Sequence, residues 1–269
     1  MNILVCVKQV PDTTAVKIDP VTNTLIREGV PSILNPFDGF ALEMALRLKE
    51  QTNGTVTVVS MGPPQAENVL RDSLAVGADE AFLVSGREFG GSDTLATSYI
   101  LSCAVKYIES QKAAKFDMIF CGKQAIDGDT GQVGPEMAEH LDYAQITYAT
   151  ELVSCEGGKV RIRKETADGY DVLETALPVV VSVTKTPFEL RFATVKKRLA
   201  ANRAQIATIT PQSMEAQIDL SRAGLKGSPT KVKKSFTPQH NKSCVVVEED
   251  SLSASAVKLV ALLSDAKKF

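Results

Sequence analysis

Five short apolar runs limit what this chain can fold into. Asn2-Ile-Leu-Val-Cys-Val-Lys8, Thr55–Met61, Glu80–Val84, Met118–Cys121 and Val179–Thr184 read as strands of near-continuous hydrophobicity. A strand of that kind is covered on both faces, the condition of a parallel sheet between helices. Helices are predicted in the intervals. Asn35-Pro36-Phe37-Asp38 offers an N-cap, a first-turn proline and an early acid, and Phe37, Ala41, Met44, Ala45 and Leu48 then form one stripe. The scheme recurs from Pro64 to Ala75 with Val69, Leu70 and Leu74, and from Asp93 to Glu109 with Ala96, Ile100, Cys103, Ala104 and Tyr107. Strand and helix in alternation predict an α/β fold with a doubly wound, mostly parallel sheet.

Two segments depart from that rhythm. Residues 150–177 carry Glu156-Gly-Gly158 and Ala167-Asp-Gly169 between short runs, which predicts a small antiparallel meander. Residues 185–250 are polar, include Pro187, Pro211, Pro229 and Pro238, and show no period. So long a structureless tract is uncommon inside a compact domain, and an extended arm ordered by another chain is the expectation. A final helix is predicted from about Ser251, with Leu252, Ala256, Leu259, Val260 and Leu263 on one face and nothing nearby in sequence to cover them. The expected division is an α/β domain over residues 1–190 and a docking loop, arm and helix over 191–269.

Composition excludes several function classes. With 44% hydrophobic residues, 23% charged residues and a net charge of −2, the chain has ample core and no global field for nucleic acid or an anionic membrane. No apolar run approaches the roughly 20 residues of a membrane span, and the first residues lack a signal-peptide pattern. The five cysteines (Cys6, Cys103, Cys121, Cys155 and Cys244) are scattered without a C-x-x-C pair, and His140 and His240 are the two histidines. These counts argue against a disulfide framework or a metal site and for a reducing cytoplasm. No Ser-His-Asp, Cys-His or paired-carboxylate arrangement is available, so no catalytic residue is assigned.

The most informative stretch is Cys121-Gly-Lys-Gln-Ala-Ile-Asp-Gly-Asp-Thr-Gly-Gln-Val-Gly-Pro-Glu136. It joins a predicted strand to a helix that begins between Thr130 and Pro135. Ligands of open α/β sheets bind at the carboxyl ends of strands. Gly122, Gly128, Gly131 and Gly134 allow backbone amides close to an anion, and the helix adds its positive end. A phosphate or pyrophosphate is the natural guest, although the loop is neither a Walker A nor a G-x-G-x-x-G sequence. Asp127 and Asp129 would repel it if they pointed inward; capping turns, binding ribose hydroxyls or facing solvent are the options open to them. An ordinary glycine-rich surface turn fits the same spacing. Lys196-Lys-Arg198 with Arg203, and Lys231-x-Lys-Lys234, read either as phosphate patches or as solvated charge, without the interleaved aromatics of a nucleic-acid surface. Glu136, Glu139 and Asp142 read as a solvated helix face.

Lys123–Gly134 closely resembles the nucleotide motif of the small (beta) subunit of electron transfer flavoproteins. Val5–Pro11, Asn35–Asp38, Ser60–Pro63, Leu190–Thr194 and Gly227–Thr230 resemble the same family in the same order. The resemblance implies the doubly wound sheet, and a heterodimer with a larger, FAD-carrying alpha subunit that the arm and last helix embrace. It also implies an adenine-nucleotide site. Cys6, Val7, Asn35, Met61 and Gly62 would surround the adenosine, although Cys6 and Met61 also fit a plain core and Asn35 a simple cap. Gly122, Ala125, Gly128, Thr130, Gly131, Gln132 and Val133 would line ribose and phosphates. Ordinary carriers of the family hold AMP there, in a loop with three consecutive aspartates and an Asn-Gln pair. Here Gly128 replaces the middle aspartate and Gly131 the asparagine, which resembles the flavin-bifurcating branch, where FAD takes the site. That branch implies NADH as electron donor, ferredoxin or flavodoxin as one acceptor, and a flavin-dependent dehydrogenase such as an acyl-CoA dehydrogenase as the other. Arg191, Val195, Lys196, Lys197 and Arg198 would form the loop that docks redox partners, with Val195 as its apolar anchor. The alternatives are an AMP-holding accessory subunit and a stand-alone ATP-binding module.

Overall fold

In the computed structural model the chain opens with β1 (Asn2–Cys6) and two small antiparallel pairs. These are β2 (Gln9–Pro11) with β5 (Ser32–Leu34), and β3 (Lys17–Ile18) with β4 (Leu25–Ile26). Alternation follows: α1 (Pro36–Thr52), β6 (Thr55–Met61), α2 (Glu67–Val76), β7 (Glu80–Val84), α3 (Thr94–Lys112), β8 (Met118–Gly122) and α4 (Val133–Leu141). Next come β9 (Ala144–Glu156), β10 (Lys159–Thr166), β11 (Gly169–Ala176) and β12 (Val179–Val183). The remainder holds α5 (Val195–Arg203), β13 (Ala207–Ile209), a single turn α6 (Gly224–Gly227) and α7 (Leu252–Asp265). The structure describes residues 1–12, 31–231 and 244–266, and the backbone of β3 and β4. Lys233, Lys234, Pro238 and His240, singled out above, lie outside the described residues.

One nine-stranded sheet runs in the order β11-β10-β9-β12-β8-β1-β6-β7-β13, parallel from β9 to β13 and antiparallel at β10 and β11. Side chains alternate between two cores. Ile3, Val5, Val58, Phe120 and Val181 point to the layer of α1 and α2, whereas Leu4, Val59, Ile119 and Val180 meet α3 and α4. This two-sided burial is why the strands read as continuous apolar runs. The chain moves from β1 to β6 and β7 on one side, then to β8 and β12 on the other. The reversal of winding therefore lies between β1 and β8, where the crevice of a doubly wound sheet opens.

Beside this agreement, one expectation changes. The predicted meander is present, but β9 starts earlier, at Ala144, and pairs with β12 in its first half and β10 in its second. A register shift near Val183 turns the backbone at Tyr148 into the left-handed region, φ 57°. Two compact units are Met1–Lys233 and Lys234–Phe269, so the described residues 191–231 fall in the first. β13 adds to the sheet beside β7, Arg71 donates to the carbonyls of Ala201 and Ala204 at 2.8 and 3.2 Å, and Ile209, Met214 and Ala223 are buried. Each of these segments inserts one or two residues into a core built by others, so no hydrophobic period marks them. In the second unit Ser251 caps α7 by accepting from the amide of Ala254 at 3.2 Å, and Leu252, Val257, Leu259 and Val260 are exposed. Among the described residues no helix is long and apolar enough to cross a membrane, and no group of three or more His, Cys, Asp or Glu could hold a metal ion.

Candidate functional site

At the reversal point three strand ends and the start of α1 meet. The last residues of β1 and β8 part here, and a buried carboxylate bridges them. Asp38, 6% exposed, accepts from the amide of Lys8 at 2.7 Å and from that of Gly122 at 3.0 Å. Its position in the first turn of α1 aims it across the gap. Burial pushes the Asp38 carboxyl up to about 7, against the lowering effect of Asn35 and the two amides. Gly122 is required beside it, because a Cβ there would lie 2.7 Å from Cβ of Phe37 and 2.8 Å from the amide nitrogen of Asp38. Cys6 and Cys121, below the loop, are buried thiols raised by desolvation, Cys121 to about 12, so neither is a nucleophile.

Asn35 holds the loop from below. It is 1% exposed and makes no side-chain cap to α1; its backbone carbonyl takes that place by accepting from Asp38 and Gly39. The side chain instead donates to the carbonyl of Gln124 at 2.9 Å and accepts from the amide of Ile126 at 3.2 Å. Farther along, Asp127 pairs with Lys8 at 2.7 Å, and Asp129 accepts from Nε2 of the Gln124 side chain at 2.7 Å. Both acids of the loop are thus occupied by neighbours rather than aimed at a guest. The amides of Gly128 and Asp129 fold back onto the carbonyl of Ala125, at 3.3 and 2.9 Å. Asp129 and Gly131 take left-handed φ values of 50° and 65°, which swings the chain into α4. The first bond within α4 runs from the Glu136 amide to the Gln132 carbonyl at 3.0 Å. Amides ahead of it, at Val133 and Gly134, have no carbonyl of their own helix to donate to. Gly134 also lets α4 sit against the sheet, since a Cβ would come within 2.7 Å of Cys121 Sγ. Oriented amides, a helix start and carboxylates engaged by their neighbours fit an anion such as a nucleotide phosphate.

The residues expected at the site divide accordingly. Cys6, Asn35, Met61, Gly62, Gly122, Ala125, Gly131, Gln132 and Val133 gather along the carboxyl edge of the sheet. The Val7 side chain belongs to the core of α1 and α2, while Gly128 and Thr130 are exposed. A Cβ on Gly128 would meet nothing within 4 Å. Sequence reasoning gave Asp38 and Lys8 no role at the crevice; the Asn35-x-x-Asp38 spacing was the available signal, and it read as ordinary helix capping. It also missed Tyr148, whose ring lies 5.8 Å from Lys123 Nζ, with the Phe37 ring 4.9 Å away on that ammonium.

The expected docking loop is tied to α1 at its base. Arg191 donates from Nε to Glu43 at 2.9 Å and also pairs with Glu50, while Arg47 reaches Glu43 at 2.9 Å. Burial raises the Glu43 carboxyl, but hydrogen bonds from Arg191 and Arg47 outweigh it and hold it low; Arg191 is held well above its usual value, first by Glu43. Arg191 therefore fastens this loop to α1. Beyond it Thr194 caps α5, Arg198 pairs with Asp72, and Lys196 and Lys197 are exposed. Phe192 and Val195 stand 98% and 79% exposed.

Comparison with known proteins gives the chain's family. A family model described as the electron transfer flavoprotein domain matches residues 22–224. The chain is 50% identical over 258 residues to the electron transfer flavoprotein subunit beta of Megasphaera elsdenii, covering 94% of each chain. It is 47% identical over 242 residues to the protein FixA of Azotobacter vinelandii, with 89% of this chain and 85% of the relative covered. With the caffeyl-CoA reductase-Etf complex subunit CarD of Acetobacterium woodii the identity is 43% over 266 residues, 98% of each. The chain belongs to the electron transfer flavoprotein family, among its beta subunits.

Proposed function

We propose that this beta subunit holds FAD at the 122–134 loop and works in the cytoplasm as half of an electron-bifurcating heterodimer with a FAD-carrying alpha subunit. NADH is the donor; ferredoxin or flavodoxin and a flavin-dependent dehydrogenase, such as an acyl-CoA dehydrogenase, are the acceptors. The observation that carries the reading is the loop itself: both acids are tied to Lys8 and Gln124, and the α4 amides are left for a phosphate. Bound FAD would supply hydride and one-electron chemistry, for which no side chain here is suited. The chain's own residues bind and orient. Val133 and Gly134 would donate to the diphosphate, Asn35 and Lys8 keep the loop in place, and Cys6, Met61 and Cys121 give the adenosine end an apolar floor. Gly131 favours FAD over AMP chiefly by leaving out the bulky amide of the carrier-type loop near the helix start, and the carboxylate missing at exposed Gly128 adds a smaller part. A relative named as part of a caffeyl-CoA reductase complex supports a CoA-ester dehydrogenase or reductase as partner.

The test is to purify the heterodimer, extract its nucleotides and count them. Two FAD and no AMP are expected; one FAD with one AMP would replace this reading by the accessory-subunit alternative.

Docking is tested separately. Val195→Asp places a charge on an apolar side chain exposed beside Lys196, Lys197 and Arg198. It is expected to lower affinity for the dehydrogenase about ten- to hundredfold and leave nucleotide content intact. Transfer rates titrated against dehydrogenase concentration check it, and unchanged rates would leave Val195 with no part in docking.

A further inference from the structure

The Gln132 side chain is held from outside its own helix. It occupies the N-cap position of α4 yet makes no cap; its Oε1 accepts from the Thr94 hydroxyl at 3.0 Å. Thr94 is the first residue of α3, and its hydroxyl also lies 3.3 Å from Glu136 Oε1. The start of α3 is in turn fastened by the segment Gly227–Thr230. Asp93 accepts from the amides of Ala96 and Thr230 and from the Thr230 hydroxyl, at 3.0, 3.0 and 2.8 Å. The buried Ser228 hydroxyl accepts from the Asp93 amide at 2.9 Å and donates to the Gly224 carbonyl at 2.7 Å. A primary amide has its oxygen and nitrogen on opposite sides. Tying Oε1 to α3 therefore directs the Nε2 donors away from α3.

We propose that Thr94 is a positioning residue: it fixes the Gln132 amide so that Nε2 donates to the phosphate of the nucleotide at the loop, with Ser228 and Thr230 holding Thr94 in register. This rests on the nucleotide reading above. A free glutamine would sample many rotamers and lose that freedom on binding, whereas one already tethered donates at little further entropic cost.

The experiment uses the purified heterodimer carrying Thr94→Val, Thr94→Ser, Gln132→Ala, or Thr94→Val with Gln132→Ala. Dissociation constants for added FAD and AMP are measured after nucleotide removal. Thr94→Val, nearly isosteric but without the hydroxyl, is expected to weaken binding about five- to twentyfold. Thr94→Ser should restore it, and the double variant should bind no more weakly than Gln132→Ala alone. Effects that multiply, or a serine variant as weak as the valine, would overturn the positioning role while leaving the nucleotide site standing. A wild-type heterodimer that binds neither nucleotide would overturn the site reading and this role together.

Discussion

Asp38→Asn is expected to remove a pH dependence of stability worth roughly 4 kcal/mol at most. The Asp38 carboxyl is raised by burial to about 7, whereas in the unfolded chain it titrates near 4. Between those values the folded protein keeps a proton that the unfolded chain has lost. Stability therefore falls as pH rises through this window and levels off above about 7. Depressed acids such as Glu43 and Asp93 work in the opposite sense at lower pH, so the wild-type curve is a composite. The difference between wild type and variant isolates Asp38. An asparagine keeps one acceptor for the amides of Lys8 and Gly122 but turns its own N–H toward the other, costing about 1–3 kcal/mol. At pH 5 the variant should be clearly the less stable; toward pH 8 the gap should close. Urea unfolding across that range measures it. Parallel curves for the two proteins would mean that Asp38 is ionised throughout, with its two amide donors outweighing burial.

How legible the site was depended on whether a residue acts along the chain or across it. The parallel core could be read because burial on both faces leaves a continuous apolar record in each strand. The loop could be read because left-handed turns and helix starts require glycine or a good first-turn residue, and Gly131 and Pro135 show it. Asp38 could not, since an acid in a first helical turn has a sufficient local reason to be there. What makes it special is the gap between β1 and β8, closed by residues 30 and 84 positions away. Arg191 is similar: an arginine in a polar stretch reads as surface, and only the buried Glu43 of α1 makes it an anchor. The α5–β13 region hid for a third reason. Its core contributions are single residues, Ala201, Ile209 and Met214, too few to leave a period.

The electrostatic contrast between the carrier-type loop and this one is gentler than loop composition alone suggests. Gly128 is exposed, and an aspartate there would project into open space with water around it. Screening reduces its effect on a bound phosphate to about 1 kcal/mol or less. Gly131, at φ 65°, accepts asparagine more readily than any other side chain, with Lys123 O 3.4 Å from the added Cβ. The choice between FAD and AMP at this loop therefore rests on space near the helix start and on order in the loop more than on one charge. Order is what Asn35 provides.

Asn35→Ala is accordingly expected to weaken nucleotide binding about thirty- to 150-fold, the largest effect of any single change in the loop's surroundings. The backbone duties of residue 35 survive in alanine: its amide still donates to the Lys8 carbonyl, and its carbonyl still caps α1. Helix α1 should stay folded. Lost are the bonds to Gln124 and Ile126, the side-chain links from the core to the loop's first half. The Lys8–Asp127 pair that remains is half-exposed and worth at most about 1 kcal/mol. Each severed bond leaves a backbone group that water reaches only by opening the loop, a loss of about 1–1.5 kcal/mol apiece, and every 1.4 kcal/mol is tenfold in affinity. Asn35→Asp sharpens the test. It keeps the acceptor for the Ile126 amide, loses the donor to the Gln124 carbonyl, and sets a second carboxyl beside Asp38. It should therefore bind nucleotide poorly at pH 8 and recover in part near pH 6, where the pair holds a proton. Equilibrium titration with AMP and FAD at both pH values decides the matter. Wild-type affinity in Asn35→Ala would show that the loop keeps its shape without the buried amide, and that residue 35 serves the fold only through its backbone.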